Sequence, residues 1–172
     1  YSRRFFRSLL PKLTVCDIEF LRAHLSKQEQ ILFYRMAGAD QKHCLNTAYT
    51  VEELTSRNSK INHKMLIKVA LLHDIGKANW IPPLRFRVYT ALFDLLFPFM
   101  VGFFAKRGKK VKASKLSKAL YIKKEHGVIG AELLKDLSWG EAPLFLIAHH
   151  HNLPQEKEPI ELAFLRTADE EN

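Results

Sequence analysis

Apolar side chains along this chain recur at steps of three and four, and nowhere does a sustained polar–apolar alternation mark a strand. The pattern predicts an all-α fold of roughly seven to nine helices without an internal repeat. Ser26-Lys27-Gln28-Glu29 has the capping-box form, a hydroxyl with a carboxylate three residues on. It opens an apolar stripe through Ile31, Leu32 and Tyr34 to Met36, with Gly38 as the expected stop. Asp40 is placed to cap the next helix, which carries His43, Thr47, Val51 and Leu54 on one face. Asn62 is placed to cap a third, with Leu66, Val69, Ala70 and His73 on one face, ending at Gly76 ahead of Pro82-Pro83. Residues 84–105 are apolar and aromatic, broken by Pro98 and Gly102, and residues 106–112 read as a basic loop. Ser114 or Ser117 then caps a helix ending near Lys124, and another runs from about His126 to Leu137. Pro143 fits the first turn of a helix through His149 to His151, which Pro154 ends. Pro159 opens the last helix, through Leu162 and Leu165 to Asp169.

At 172 residues the chain suits one domain, residues 1–172, and a domain of that size buries about two-thirds of its unfolded surface without a structural metal or disulfide. An apolar fraction of 47% with 26% charged residues argues against disorder. Cys16 and Cys44 show no CxxC spacing, which disfavours a disulfide scaffold and fits a reducing, cytoplasmic compartment. No signal-peptide pattern opens the chain, and Tyr1 in place of Met fits a piece of something longer. The net charge of +9 points to anionic partners: phosphorylated small molecules, nucleic acid or an anionic membrane surface. Nine of the basic residues lie between Lys106 and Lys124, and Arg3, Arg4, Arg7 and Lys12 form a smaller group.

The chemistry concentrates in the histidines. His43, His73, His126 and His149 each fall on an expected helix or at its end, and His73 is followed directly by Asp74. Neutral imidazole and carboxylate are ligands for divalent transition metals, and one carboxylate can bridge two ions. Adjacent His and Asp point about 100° apart on a regular helix. Unwinding at Gly76 would let both face one site.

The ordered set resembles the HD-domain metal-dependent phosphohydrolases: a His, a His-Asp pair, further His residues, then a distal Asp. Here these are His43, the pair His73-Asp74 within His-Asp-Ile-Gly-Lys, His126 within His-x-x-x-Gly-Ala-Glu-Leu-Leu, His149-His150, and Asp169 within Arg-Thr-Ala-Asp. The resemblance implies an HD-type helical bundle, with N-terminal helices over residues 1–37 and the core over 38–170, carrying an insert at 84–115. It implies that His43, His73, Asp74 and Asp169 hold a first metal, and that His126 and His149 hold a second with Asp74 bridging. Two divalent ions are expected, Fe or Mn ahead of Mg, Ni, Co or Zn because the set contains no thiolate. Such a pair activates a bridging water and neutralises the charge of a phosphoryl transition state. Asp74 and Lys77 are then the catalytic candidates, Lys77 reaching toward substrate phosphate as a point charge. Some subgroups add a third metal through a second adjacent His, and His150 with Asp40 could play those parts. The Gly-Tyr-Pro stretch of the cyclic-dinucleotide branch is lacking, because Asn152-Leu153-Pro154 follows His151.

The implied activity is hydrolysis of a phosphoester or phosphoanhydride bond in a nucleotide or other small phosphorylated compound. The competing reading is a non-catalytic HD-type regulatory module that binds an anionic ligand or partner. Specific nucleic-acid binding is not expected, since the basic stretch offers no recognition helix. Residues 88–105 contain one charge, Asp94, and lead straight into Lys106-Arg107-Gly108-Lys109-Lys110. A spanning helix needs about 20 apolar residues, so this segment is expected to cover the core, to act as a lid, or to touch a membrane peripherally through 88–112.

Overall fold

The computed structural model describes residues 13–56, 58, 60–79, 84–110 and 112–172. These form nine α-helices with two short 3-10 turns and no strand, an all-α bundle within the expected range. Arg3, Arg4, Arg7, Lys12 and the Pro82-Pro83 break lie outside the described residues.

Helices α1 (Val15–His24) and α2 (Lys27–Arg35) are each opened by a capping box, at Thr14 with Asp17 and at Ser26 with Glu29. The second is the one expected from Ser26, but it ends at Arg35 rather than at Gly38. Gly38 instead begins α3 (Gly38–Thr55), whose N-cap is Ala37, so Asp40 sits in the first turn and does not cap it. A carboxylate there still favours the positive end of the helix dipole. Asn62 caps α4 (His63–Leu72) as expected, its side-chain oxygen accepting from the Met65 amide.

Helix α4 is the central element. Leu66, Ile67, Val69, Ala70, Leu71 and Leu72 are all buried, and Lys64 and Lys68, one turn apart, mark its narrow polar side. It packs against α1, α3, α8 (Glu141–His149) and α9 (Ile160–Glu170). It stops at Leu72, four residues before Gly76, and His73 and Asp74 lead into a 3-10 turn at Ile75–Asn79. Gly76 serves close packing instead. A Cβ there would stand 2.0 Å from the carbonyl oxygen of His126, so only glycine lets the two backbones touch. That contact locks the His73-Asp74 corner beside His126.

The largest departure from the sequence pattern is α7 (Lys115–Leu134), one continuous helix of 20 residues where the pattern predicts a break near Lys124. Lys124-Glu125-His126 contains no helix breaker, and Ser114 caps the whole helix from its start. Before it, the aromatic segment folds into α5 (Leu84–Leu96) and α6 (Pro98–Gly108), with Pro98 in the first turn of α6. Part of the expected basic loop is therefore the last turn of α6.

Candidate metal centre

Five elements deliver side chains to one point. His43 comes from α3, and His73 with Asp74 from the corner after α4. His126 comes from α7, His150 and His151 from the turn after α8, and Asp169 from the last turn of α9. The His43 Nε2 lies 2.8 Å from Asp169 Oδ1, and His73 Nε2 lies 3.3 Å from the same oxygen. The Asp74 carboxylate stands between two halves of the cluster. Its Oδ2 is 3.7 Å from His73 Nε2 and 3.8 Å from His43 Nε2, while its Oδ1 is 3.0 Å from His126 Nε2. Donor atoms of His43, His73 and Asp169 lie within 4.8 Å of one another, as do those of Asp74, His126, His150 and His151.

The tautomers decide what this arrangement can hold. The Nδ1 atoms of His73, His126 and His150 lie 2.8, 2.8 and 2.7 Å from the carbonyls of Ala70, Lys123 and Ile147, each three residues back. A carbonyl only accepts, so each Nδ1 carries a proton, and each Nε2 faces the interior, where the neutral ring offers its lone pair. Backbone orientation of this kind is what metal-binding histidines normally receive from their surroundings. Among the described residues four buried side-chain polar atoms lack a partner: His73 Nε2, Asp74 Oδ1, His150 Nε2 and Thr47 Oγ1. The first three converge here. Buried acceptors without donors cost roughly 1–3 kcal/mol each, which a bound cation would offset.

The local electrostatics ask for positive charge. Burial disfavours an imidazolium at His73, yet the Asp74 and Asp169 carboxylates raise its pKa well above the usual value. Burial also opposes ionisation of Asp74, but His73, His126 and Lys77 hold its carboxyl well below the ordinary range. Asp169 is depressed in the same way, its burial outweighed by hydrogen bonds to His43 and His73. His150 moves the other way: burial and the neighbouring imidazoles push it well below the usual value. His151, at the solvent edge, falls to about 4 through burial and the nearness of His126. Both therefore offer neutral nitrogens at neutral pH. The Lys77 ammonium rests 2.5 Å from Asp74 Oδ2, supplying one of the cations that the carboxylates draw in.

Six of the seven expected ligand positions meet here, and His149 does not. Its ring packs on Phe145 and its Nδ1 lies 2.7 Å from the Asn152 side-chain nitrogen, outside the cluster. His150 and His151 stand there instead, with His151 Nε2 3.0 Å from His126 Nε2. The reason is rotational: successive residues on a helix point about 100° apart, and α8 ends at His149, so its cap residue turns inward. Arg166 fixes that turn, its Nε donating to the His150 carbonyl, with another guanidinium nitrogen 3.4 Å from the His149 carbonyl. The tandem His149-His150-His151 is the sequence signal for this end of the site, but its phase is not legible there. Cys44 is a further neighbour, with donor atoms of Cys44, His73 and Asp74 also within 4.8 Å. Burial raises its thiol pKa, so it stays protonated beside the cluster.

Comparison of the chain with family models, with curated proteins and with solved structures returned no match.

Proposed function

We propose that this protein is a metal-dependent phosphohydrolase of the HD type, acting on a nucleotide or another small phosphorylated compound. The observation that carries the reading is the convergence of three inward-facing Nε2 atoms, each on a ring held at Nδ1 by a backbone carbonyl, with the carboxylates of Asp74 and Asp169. His43, His73, Asp74 and Asp169 would hold one divalent ion, and Asp74, His126, His150 and His151 a second. The carboxylate of Asp74 offers one oxygen to each half. A ligand set of nitrogen and oxygen without thiolate suits Fe or Mn. Divalent ions bound there would supply Lewis acidity to a phosphoryl group and to water.

The chain's own contributions are binding and charge. Lys77 is partly exposed and its ammonium is held by Asp74 Oδ2, so a cation on that oxygen would release it toward an incoming phosphate. The net charge of +9 raises the local concentration of anionic substrates. Cys16 and Cys44 are both free thiols, in keeping with a reducing, cytoplasmic setting.

The test is hydrolysis of p-nitrophenyl phosphate and of its bis-ester by protein reconstituted with Mn(II) or, anaerobically, with Fe(II). Turnover that EDTA removes and metal restores is expected. Stoichiometric metal binding without turnover on these esters or on a panel of nucleotides would assign the chain instead to a regulatory module.

A further inference from the structure

Among the described side chains of the aromatic segment, most of the large apolar ones face outward. Leu95 is 77% exposed and Phe99 81%, and Tyr89, Leu92, Leu96, Phe97 and Phe103 are exposed with them. They form the outer surface and tip of the α5–α6 hairpin. Its inner surface is occupied by rings: Phe93 packs on Phe97 and edge-on against Phe104, each at 5.4 Å between centroids. The base of the hairpin is rigidly seated. Ala105 and Gly108 are buried against α7, and a Cβ at Gly108 would stand 2.1 Å from the Ser117 carbonyl oxygen. An exposed apolar cluster held on a fixed stalk is a surface built to meet something apolar.

Charge says what that partner is. Phe103 follows Phe99 by four residues, and Lys106 and Arg107 follow Phe103 by three and four, so one face of α6 passes from aromatic to cationic toward its base. The Arg107 guanidinium lies over the Phe103 ring at 4.4 Å, marking the border. At 1.5 Å per residue the distance from Phe99 to Arg107 along the axis is about 12 Å. Lys109, Lys112, Lys115 and Lys118 are also exposed at that end, the Lys124 ammonium lies beside Gly102, and Asp94 is the sole acidic residue from 88 to 124. Apolar groups that enter about 5–10 Å beneath a ring of cations have the layout of an interfacial anchor on anionic lipid. No helix among the described residues is long and apolar enough to cross a membrane, so the hairpin would dip into one leaflet only. A second copy of this chain is a poor occupant, because joining two tips would bring two girdles of lysines together.

We propose that the α5–α6 hairpin docks this protein on the surface of an anionic membrane, with Leu95, Leu96, Phe97 and Phe99 among the acyl chains and the lysines of α6 and early α7 at the headgroups. The contact does not depend on what the His/Asp cluster binds.

Co-sedimentation with vesicles of pure phosphatidylcholine, and with an equimolar mixture of phosphatidylcholine and phosphatidylglycerol, tests this. Binding to the mixed vesicles is expected, weakening in high salt and far weaker on the neutral ones. Lys109→Glu with Lys110→Glu should lower partitioning roughly tenfold or more. Phe99→Ser should lower it comparably, and the exposure of Phe99 makes loss of folding a small risk. In both variants the metal content should match the parent. A Phe99→Trp variant should show added fluorescence quenched by brominated acyl chains. Three results would overturn the proposal: equal recovery in the supernatant with and without anionic lipid, equal binding to neutral vesicles, or a dimer in solution that Phe99→Ser dissociates.

Discussion

Two groups of buried charged side chains among the described residues are built on opposite plans. In the N-terminal helices Asp17 accepts from the Thr14 amide at 2.9 Å, from Lys42 at 2.9 Å and from the Tyr49 hydroxyl at 3.0 Å. Glu29 accepts from the Ser26 amide at 2.8 Å and the Trp139 indole at 2.6 Å, and pairs with Lys68 at 2.6 Å. Each acceptor meets a donor there, and each carboxylate meets a lysine. In the His/Asp cluster three rings spend their Nδ1 protons on backbone carbonyls, and His73 Nε2, His150 Nε2 and Asp74 Oδ1 are buried without a hydrogen-bond partner. The difference separates a polar core that holds the fold from one arranged around a cation. Buried charge alone does not mark a functional site; unmatched donors and acceptors do.

The contrast predicts that the two groups respond differently to the same treatments. Asp17→Ala leaves Lys42 buried without its counter-charge and should cost about 3–5 kcal/mol of stability in urea unfolding. Metal content per folded chain should not change. A variant that unfolded no more easily than the parent would remove the distinction.

Asp74→Ala should show the converse. Loss of a shared ligand should lower phosphoester turnover at least a hundredfold, about 2.7 kcal/mol of transition-state stabilisation, and should lower metal content with it. Stability of the metal-free protein should fall less than in Asp17→Ala, since Lys77 is partly exposed and can turn to solvent. A variant with parental turnover would show that the His-Asp pair is structural.

Acid provides a third comparison. Burial opposes the charge of Asp17 and Glu29, but the Thr14 amide and Lys42, and Lys68 with the Ser26 amide, lower both pKa values. A depressed folded pKa means that the stabilisation is complete above the ordinary carboxylate value, about 4, and is lost as pH falls through the folded one. Urea midpoints of metal-free protein should therefore fall on acidification below about pH 4, and Asp17→Ala should flatten that fall. An unchanged slope would place the acid sensitivity elsewhere.

The smallest effect is the most discriminating about the ligands. His149→Ala should leave turnover within about twofold of the parent, while His150→Ala should lower both turnover and metal content. The reverse result would restore the ligand assignment that the sequence suggests.

Much of this molecule is legible in its sequence, and the exceptions share a cause. Helix starts follow from local chemistry: Ser26, Asn62 and Ser114 cap where their side chains can reach free amides. Glycine misleads at positions 38 and 76, because it serves equally to end a helix and to admit another backbone, and only the tertiary partner decides. Helix α7 continues through Lys124 because nothing in its sequence stops it, and the expected break comes from dividing the apolar pattern too finely. In the site, the order of His43, His73-Asp74, His126 and Asp169 marks residues that do converge. His149, His150 and His151 differ only in phase, and phase depends on where α8 ends. The exposure of Phe99 is also beyond pattern reading, since an aromatic run looks alike whether it covers a core or leaves it.

Everything proposed for the His/Asp cluster depends on its being a binding site for divalent metal. That is met most directly by stripping the protein with chelator, titrating it with Mn(II) by calorimetry, and measuring bound metal by elemental analysis after desalting. Two ions per chain are expected. At free metal a hundredfold above the dissociation constant, one such ion adds about 2.7 kcal/mol of stability. The expected rise in Tm is roughly 5–10 °C, and it should disappear in Asp74→Ala. Less than one ion per folded chain, with no change in Tm, would contradict the assignment.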